Sequence, residues 1–356
     1  MKKYNFYAGP AILPQEVFQE ASQAILDFNG MGLSLLEISH RSAEFQAVMD
    51  EAYALVREIL SLPDHYDLMF LQGGASGQFG MIPMNILGDN ETAGYVNTGN
   101  WAEKAIKDAK LYGEVSILAD SADKGHTYIP KNYNIPAHLK YLHLTNNNTV
   151  RGTQYHSLPD TEVKIVADMS SDIFSRPIDV EKYGVIYAGA QKNMGPAGTT
   201  LVIVDKNFVT EPVRALPNMM NYQNHLSKQS SYNTPPTFAV YVSMLTLRWV
   251  KAQGGVDEMA KKNAKKSSLL YQEIDNNEMF YGATAIEDRS QMSVTFKLHD
   301  EELSSAFLEL CASAGCIGVK GHRSVGGFRA SIYNAMEADG VKTLVDVMQD
   351  FGAKKG

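Results

Sequence analysis

Lys192 stands in the segment Ala188-Gly189-Ala190-Gln191-Lys192-Asn193-Met194-Gly195-Pro196-Ala197-Gly198, directly after the apolar run Val185-Ile186-Tyr187. In open α/β sheets, ligands gather at the carboxyl ends of the strands. A lysine pressed there among small and apolar neighbours gives up its proton and can form a Schiff base with a carbonyl compound. The plain structural alternative is a surface lysine in a glycine-rich turn. Asp168 follows the apolar run Val163-Lys164-Ile165-Val166, one strand-loop-strand span earlier. A single aspartate at a strand end is usually a turn or a helix cap. An aspartate and a lysine at the ends of two adjacent strands would instead face one crevice.

Such a pair suits a pyridoxal phosphate site. That cofactor needs a carboxylate at its pyridine nitrogen to keep the ring an electron sink. Gln72-Gly73-Gly74-Ala75-Ser76-Gly77-Gln78, between a strand and a helix, could close its backbone on an anion. The helix start would supply free N–H donors and the positive end of the dipole. No Gly-Lys-Ser/Thr follows, so it is not a Walker loop. Trp101 comes after Asn97-Thr98-Gly99-Asn100 at the same strand edge, where an indole could stack on a flat ring. Two His-Arg pairs, His40-Arg41 and His322-Arg323, and Arg329 in Gly326-Gly327-Phe328-Arg329 offer cations for carboxylate or phosphate. The histidines show no metal-ligand spacing, and there is no Gly-x-Ser-x-Gly elbow.

These residues need a frame. The chain has 356 residues, more than one core usually organises, so a large and a small domain are expected. Short apolar strands near 67–71, 94–96, 115–118, 141–144, 163–166, 185–187 and 200–204 alternate with helices, the pattern of a mainly parallel α/β sheet. The residues from 44 to 60 have the spacing of an amphipathic helix. A further helix is expected over 81–87. Beyond Gly254-Gly255 the pattern becomes α+β, with the alternating strand Met292 to Leu298. The net charge of -8 argues against nucleic-acid binding. Cys311 and Cys316 are expected as buried thiols in a reducing compartment. No signal-peptide pattern and no membrane-spanning stretch is visible, so a cytoplasmic, soluble protein is expected.

Taken together, the motifs resemble those of the phosphoserine aminotransferases, fold-type I pyridoxal phosphate enzymes among the class V aminotransferases. The resemblance runs almost end to end. It rests on Asn5-Phe6-Tyr7-Ala8-Gly9-Pro10-Ala11, Ser39-His40-Arg41, Arg176-Pro177-Ile178-Asp179 and Tyr187 to Asn193. Tyr232-Asn233-Thr234-Pro235-Pro236-Thr237, Gly321-His322-Arg323 and Arg329-Ala330-Ser331-Ile332-Tyr333-Asn334-Ala335 complete it.

The resemblance implies a large cofactor-binding domain with a seven-stranded sheet over 16–254. Residues 1–15 and 255–356 would form the small α+β domain. Lys192 would hold the cofactor covalently, Asp168 would pair with the ring nitrogen, Trp101 would stack on the ring, and Thr149 would contact its oxygen side. Ala75, Ser76 and Gln191 would bind the cofactor phosphate, joined by Asn233 and Thr234 of a second subunit, so a homodimer is implied. Some members carry Gly-Arg where this chain has Ala75-Ser76, which leaves hydroxyl and backbone donors for that phosphate. Arg329 would take the substrate α-carboxylate. His322 and Arg323, with His40 and Arg41 of the second subunit, would take the substrate phosphate. The implied reaction is transamination of 3-phosphohydroxypyruvate by L-glutamate in serine biosynthesis, and in some members also of a phosphorylated hydroxythreonine in pyridoxine biosynthesis. A desulfurase using one of the cysteines and a non-catalytic metabolite binder are the alternatives.

Overall fold

Strands buried on both faces need helices on both sides, and that requirement organises the larger part of the molecule. The computed structural model describes residues 2–355; Met1 and Gly356, which the expected small domain includes, lie outside the described residues. Seven strands form one sheet: β1 (Tyr66–Leu71), β2 (Thr92–Asn97), β3 (Glu114–Asp120), β4 (Leu142–Thr145), β5 (Ile165–Asp168), β6 (Tyr183–Gly189) and β7 (Thr200–Asp205). Their order is β1-β7-β6-β5-β4-β2-β3. Strands β2 to β6 pair parallel, and only β7 runs antiparallel to its neighbours β1 and β6. The mainly parallel seven-stranded sheet expected from the sequence is therefore present.

The helices of this part are α1 (Gln15–Leu26), α2 (Ala43–Ile59), α3 (Gly74–Ile86), α4 (Asn100–Ala109), α5 (Tyr222–Leu226) and α6 (Thr237–Ala252). On one face of the sheet Phe45, Val56 and Val240 pack with Leu142 and Ile186. On the other, Phe79 and Ile106 pack with Tyr95, Val166 and Tyr187. α2 shows why these residues make a helix. Ser42 caps it by accepting from the Phe45 N–H at 3.3 Å. Phe45, Val48, Met49, Ala52, Leu55, Val56 and Ile59 are its buried stripe. Each fully buried aliphatic side chain there contributes about 1.5–3 kcal/mol.

One element differs from expectation. The helix expected over 81–87 begins at Gly74, so the small-residue segment supplies the helix start itself. Glycines are poor helix formers, and local propensity reads them as loop. Gly73, at φ 96°, turns the chain out of the strand so that α3 can begin at once.

A separate apolar cluster gathers Phe6, Leu270, Phe296, Phe307, Phe328, Val345 and Phe351. It lies among α7 (Gly255–Asn276), α8 (Ser304–Ser313), α9 (Ala338–Lys355) and the antiparallel strands β8 (Phe280–Tyr281), β9 (Ser293–Leu298) and β10 (Phe328–Ser331), in the order β8-β9-β10. The start of the chain joins this cluster: Tyr4–Asn5 pairs parallel with Cys316–Ile317, and Phe6 is fully buried. Among the described residues no helix is long and apolar enough to cross a membrane.

Candidate active site

β5 and β6 are parallel neighbours, with Asp168 in register with Tyr187. Asp168 is the last residue of β5, and Lys192 lies three residues beyond the end of β6. The topology thus brings the two groups to one edge of the sheet. Both line a cavity of about 420 Å³ with Trp101, Thr149, Gln191, Arg329, His322 and the Gly73–Ser76 turn.

Each wall has a local cause. Asp168 is 6% exposed. Its Oδ1 accepts from the Ser170 N–H at 2.9 Å and the Ser170 hydroxyl at 2.6 Å. The same hydroxyl oxygen accepts from the Gly189 N–H at 3.1 Å, which ties the ends of β5 and β6 together. On Lys192, burial pushes the ammonium below its ordinary range; Asp168 opposes this, Arg329 reinforces it, and Asp172 opposes it again. Gly9 sits against the lysine stem: a Cβ there would come 3.3 Å from Lys192 Cγ. The Ala11 N–H donates to the Gln191 carbonyl at 2.9 Å, so the start of the chain closes one side of the cavity.

The first bond within α3 runs from the Gly77 N–H to the Gly73 carbonyl at 3.0 Å. The N–H groups of Gly74, Ala75 and Ser76 precede it and have no acceptor within the helix. Trp101 lies in the first turn of α4 and donates Nε1–H to Thr149 Oγ1 at 3.3 Å. The Lys192 Nζ is 5.6 Å from the centre of its ring. Arg329 is carried by β10, and its Nη1 donates to the Thr149 carbonyl at 2.9 Å. Its Nε is buried without a hydrogen-bond partner. His322 Nδ1 and Ser324 Oγ are 2.7 Å apart. Burial, then Arg329, Arg323 and Arg151, hold the His322 imidazole below its ordinary range.

Not every expected residue reaches this cavity within one chain. Arg323 is exposed and outside its lining. His40 is half-buried, Arg41, Asn233 and Thr234 are exposed, and none of the four lines the cavity. The Thr234 carbonyl accepts from Gln72 Nε2 at 3.0 Å. Sequence reasoning assigned no part to Ala8, Gly9, Val150 or Ser170, all of which line the cavity. Ala8-Gly9 belongs to a segment already singled out, and Ser170 stands two residues after Asp168, so both carried a signal. Val150 carried none.

Asp172 is a further buried carboxylate behind the cavity. Burial pushes its carboxyl up to about 6, and it accepts from Asn146 and, at 3.2 Å, from Gln154 Nε2. Cys311 and Cys316 are free and buried in the second apolar cluster. Burial pushes their thiols up to about 12 and about 11, which suits packing and not nucleophilic chemistry. Among the described residues no group of three His, Cys, Asp or Glu side chains could hold a metal ion.

The donor set fits an aromatic aldehyde with a basic ring nitrogen and a phosphate. It offers a buried amine for the carbonyl, a fixed carboxylate for the ring nitrogen, an indole for the ring face, and free N–H groups with the Ser76 hydroxyl for the anion. Comparison with known proteins agrees. The sequence profile of the family described as aminotransferase class-V matches residues 3–344. The chain is 55% identical over 355 residues to the phosphoserine aminotransferase of Flavobacterium johnsoniae, covering 99% of this chain and 100% of that one. It is 54% identical to that of Bacteroides fragilis, covering 99% of each. Among solved structures, the phosphoserine aminotransferase of Bacillus circulans subsp. alkalophilus superimposes with a TM-score of 0.97 at 44% identity, covering 100% of this chain and 99% of that one. The PLP-bound phosphoserine aminotransferase of Trichomonas vaginalis does so with a TM-score of 0.93 at 33% identity, covering 98% and 100%.

Proposed function

Because the chain belongs to the class-V aminotransferase family, we propose that it exchanges an amino group between L-glutamate and 3-phosphohydroxypyruvate, giving 2-oxoglutarate and O-phospho-L-serine. One observation carries this reading: Lys192, Asp168, Trp101 and Arg329 line a single cavity at the carboxyl edge of the sheet. Pyridoxal phosphate, when bound, supplies the carbonyl that receives the amino group and a ring that accepts electrons from the substrate α-carbon.

The chain's own residues supply the rest. Lys192, held towards its neutral form by burial, would hold the cofactor through its carbonyl. Once released from that carbonyl it would take the proton from the substrate Cα as base and deliver it as general acid to the carbon that had carried the carbonyl, the shift that moves the amino group. Asp168, oriented by Ser170, keeps a proton on the ring nitrogen. Trp101 covers the ring face and excludes water from it. Ala75 and Ser76 at the start of α3, with Gln191, would hold the cofactor phosphate, and Thr149 would contact the side of the ring that carries its 3-oxygen. Arg329 binds the substrate α-carboxylate through a fork whose Nε has no protein partner. His322 and Arg323 bind the distal anion, which is the phosphate of one substrate and the side-chain carboxylate of the other.

A homodimer completes the site in this reading. The partner subunit's His40 and Arg41 join the distal anion, and the partner subunit's Asn233 and Thr234 join the cofactor phosphate. Its support is an apolar surface that one chain leaves uncovered. Phe18 and Leu26 on α1, and Leu33 and Leu36 in the segment leading to His40, are exposed, Leu26 by 76% and Leu36 by 59%. The Leu35 N–H bonds the Ala24 carbonyl at 2.9 Å, which holds that segment against α1. We place the boundary between a large domain and a small one at Gly254-Gly255, in support of which the second apolar cluster draws on Phe6 and on residues from Leu270 onward. The two buried free thiols support a cytoplasmic location.

The test is an assay of purified protein with glutamate and 3-phosphohydroxypyruvate, with the visible spectrum recorded alongside. Phosphoserine should form in the wild type, and Lys192→Ala should lose both turnover and the visible band. A normal spectrum without phosphoserine would overturn the substrate assignment. A Lys192→Ala variant with near-normal turnover would overturn the role of the lysine.

A further inference from the structure

β10 ends at Ser331, two residues after Arg329, and the chain then leaves the sheet in a turn that leads to α9. No residue of that turn lines the cavity, yet side chains from behind hold it firmly. Lys266 on α7 directs its Nζ to three carbonyls of this one turn: Ile332 at 3.1 Å, Tyr333 at 2.7 Å and Met336 at 3.0 Å. Three acceptors match the three donors of an ammonium group. Lys266 is 4% exposed, and no carboxylate among the described residues forms an ion pair with it. Its neighbour one turn earlier on α7, Asn263, donates to Asn334 Oδ1 at 2.8 Å.

Asn334 carries the constraint onward. Its N–H donates to Asn193 Oδ1 at 2.9 Å, and Asn193 directly follows Lys192. Its Nδ2 donates to the Phe174 carbonyl at 2.8 Å, in the loop after Asp168. Asn193 Nδ2 donates to the Ile173 carbonyl in that same loop. The end of the Arg329 strand is thus joined by buried hydrogen bonds to the loops that carry the lysine and the aspartate.

We propose that Lys266 is a positioning residue for Arg329: it fixes the turn at the end of β10 where Asn334 locks that turn to the Lys192 and Asp168 loops, and so holds the carboxylate-binding fork in register with the reacting atoms. The inference rests on the reading that Arg329 binds the substrate α-carboxylate. Lys266 does not line the cavity, and the Lys192 and Asp168 loops keep their own bonds to each other through Asn193 to the Ile173 carbonyl and Gly189 to Ser170, so its effect falls mainly on the end of β10 and on recognition of that carboxylate.

The experiment uses the cofactor-loaded enzyme and the variants Lys266→Met and Lys266→Gln. Two probes are compared, O-phospho-L-serine, which has the α-carboxylate, and phosphoethanolamine, which lacks it. Lys266→Met should raise the KM for glutamate and for the keto acid about tenfold, on the order of one lost hydrogen bond's worth of alignment. Phosphoserine affinity should fall by the same factor, with phosphoethanolamine affinity within about twofold of wild type and the visible spectrum unchanged. Lys266→Gln keeps two donors and should lie between the two. A lower melting temperature with unchanged KM would overturn the proposal, as would equal weakening of both probes. If Lys266→Met does not fold, Asn263→Ala, which frees Asn334 Oδ1, should show the same split at about threefold, and equal weakening there refutes the proposal. Failure of the underlying reading looks different: Arg329→Gln would then leave phosphoserine affinity untouched.

Discussion

Replacing Arg329 by Gln removes a charge that the structure places in two relations at once. Its Nη1 is anchored on the Thr149 carbonyl at 2.9 Å, and its Nε is buried without a partner. It is also one of the charges that hold the Lys192 ammonium low. A carboxylate on the guanidinium fork makes two charge-assisted hydrogen bonds, each contributing about 1.5–3 kcal/mol. Glutamine restores one neutral bond of about 1 kcal/mol. The difference of about 2–5 kcal/mol predicts a loss of about 30-fold to about 5,000-fold in kcat/KM. The carboxylate is present before and during reaction, so the loss should fall mainly on KM.

The second relation gives a signed prediction. Without the positive charge of Arg329, the Lys192 ammonium moves up, and less of the amine is neutral at a given pH. The pH at which the apoprotein captures pyridoxal phosphate at half its maximal rate should therefore rise in Arg329→Gln. Arg329→Lys keeps the charge and loses the fork, so it should keep the wild-type pH dependence while retaining most of the KM defect. The assays are steady-state kinetics with both substrates and stopped-flow cofactor capture from pH 6 to 10. A kcat/KM within about threefold of wild type, or a capture profile moved to lower pH, would refute the reasoning.

His143 is buried in β4, with its Nε2 2.8 Å from the Tyr187 hydroxyl and its ring stacked on Tyr95. Burial lowers its imidazole to about 3. The unfolded chain therefore binds more protons at this position between about pH 3 and about pH 6.5, so the stability held above pH 6.5 is lost as the pH falls through that window. His143→Gln should flatten the stability curve there by up to about 1.4 kcal/mol per pH unit relative to wild type; parallel urea-denaturation curves of the two proteins across the window would contradict it. If the uncovered face on α1 and the segment before His40 joins two subunits, light scattering should give twice the 39.2 kDa chain mass. Leu36→Glu should then give a monomer with little activity, and a fully active wild-type monomer would refute the shared site.

The sequence alone carried the chemistry because that chemistry is written in residue type and local order. A lysine among small residues after one buried strand and an aspartate at the end of the strand before it are local facts, and the parallel sheet follows from strands that are apolar on both faces. The start of α3 was misread because glycine propensity opposes a helix that the strand-to-helix turn at Gly73 imposes. Tertiary structure alone decided the long-range pairings. Arg329 meets Thr149 across 180 residues of chain, and Gly9 closes on Lys192 because the start of the chain pairs beside Cys316. Lys266 finds its three carbonyls 66 to 70 residues away. No periodicity records such contacts: they arise when separately formed elements pack, and each buried polar group must then take whatever partner the packing brings within reach.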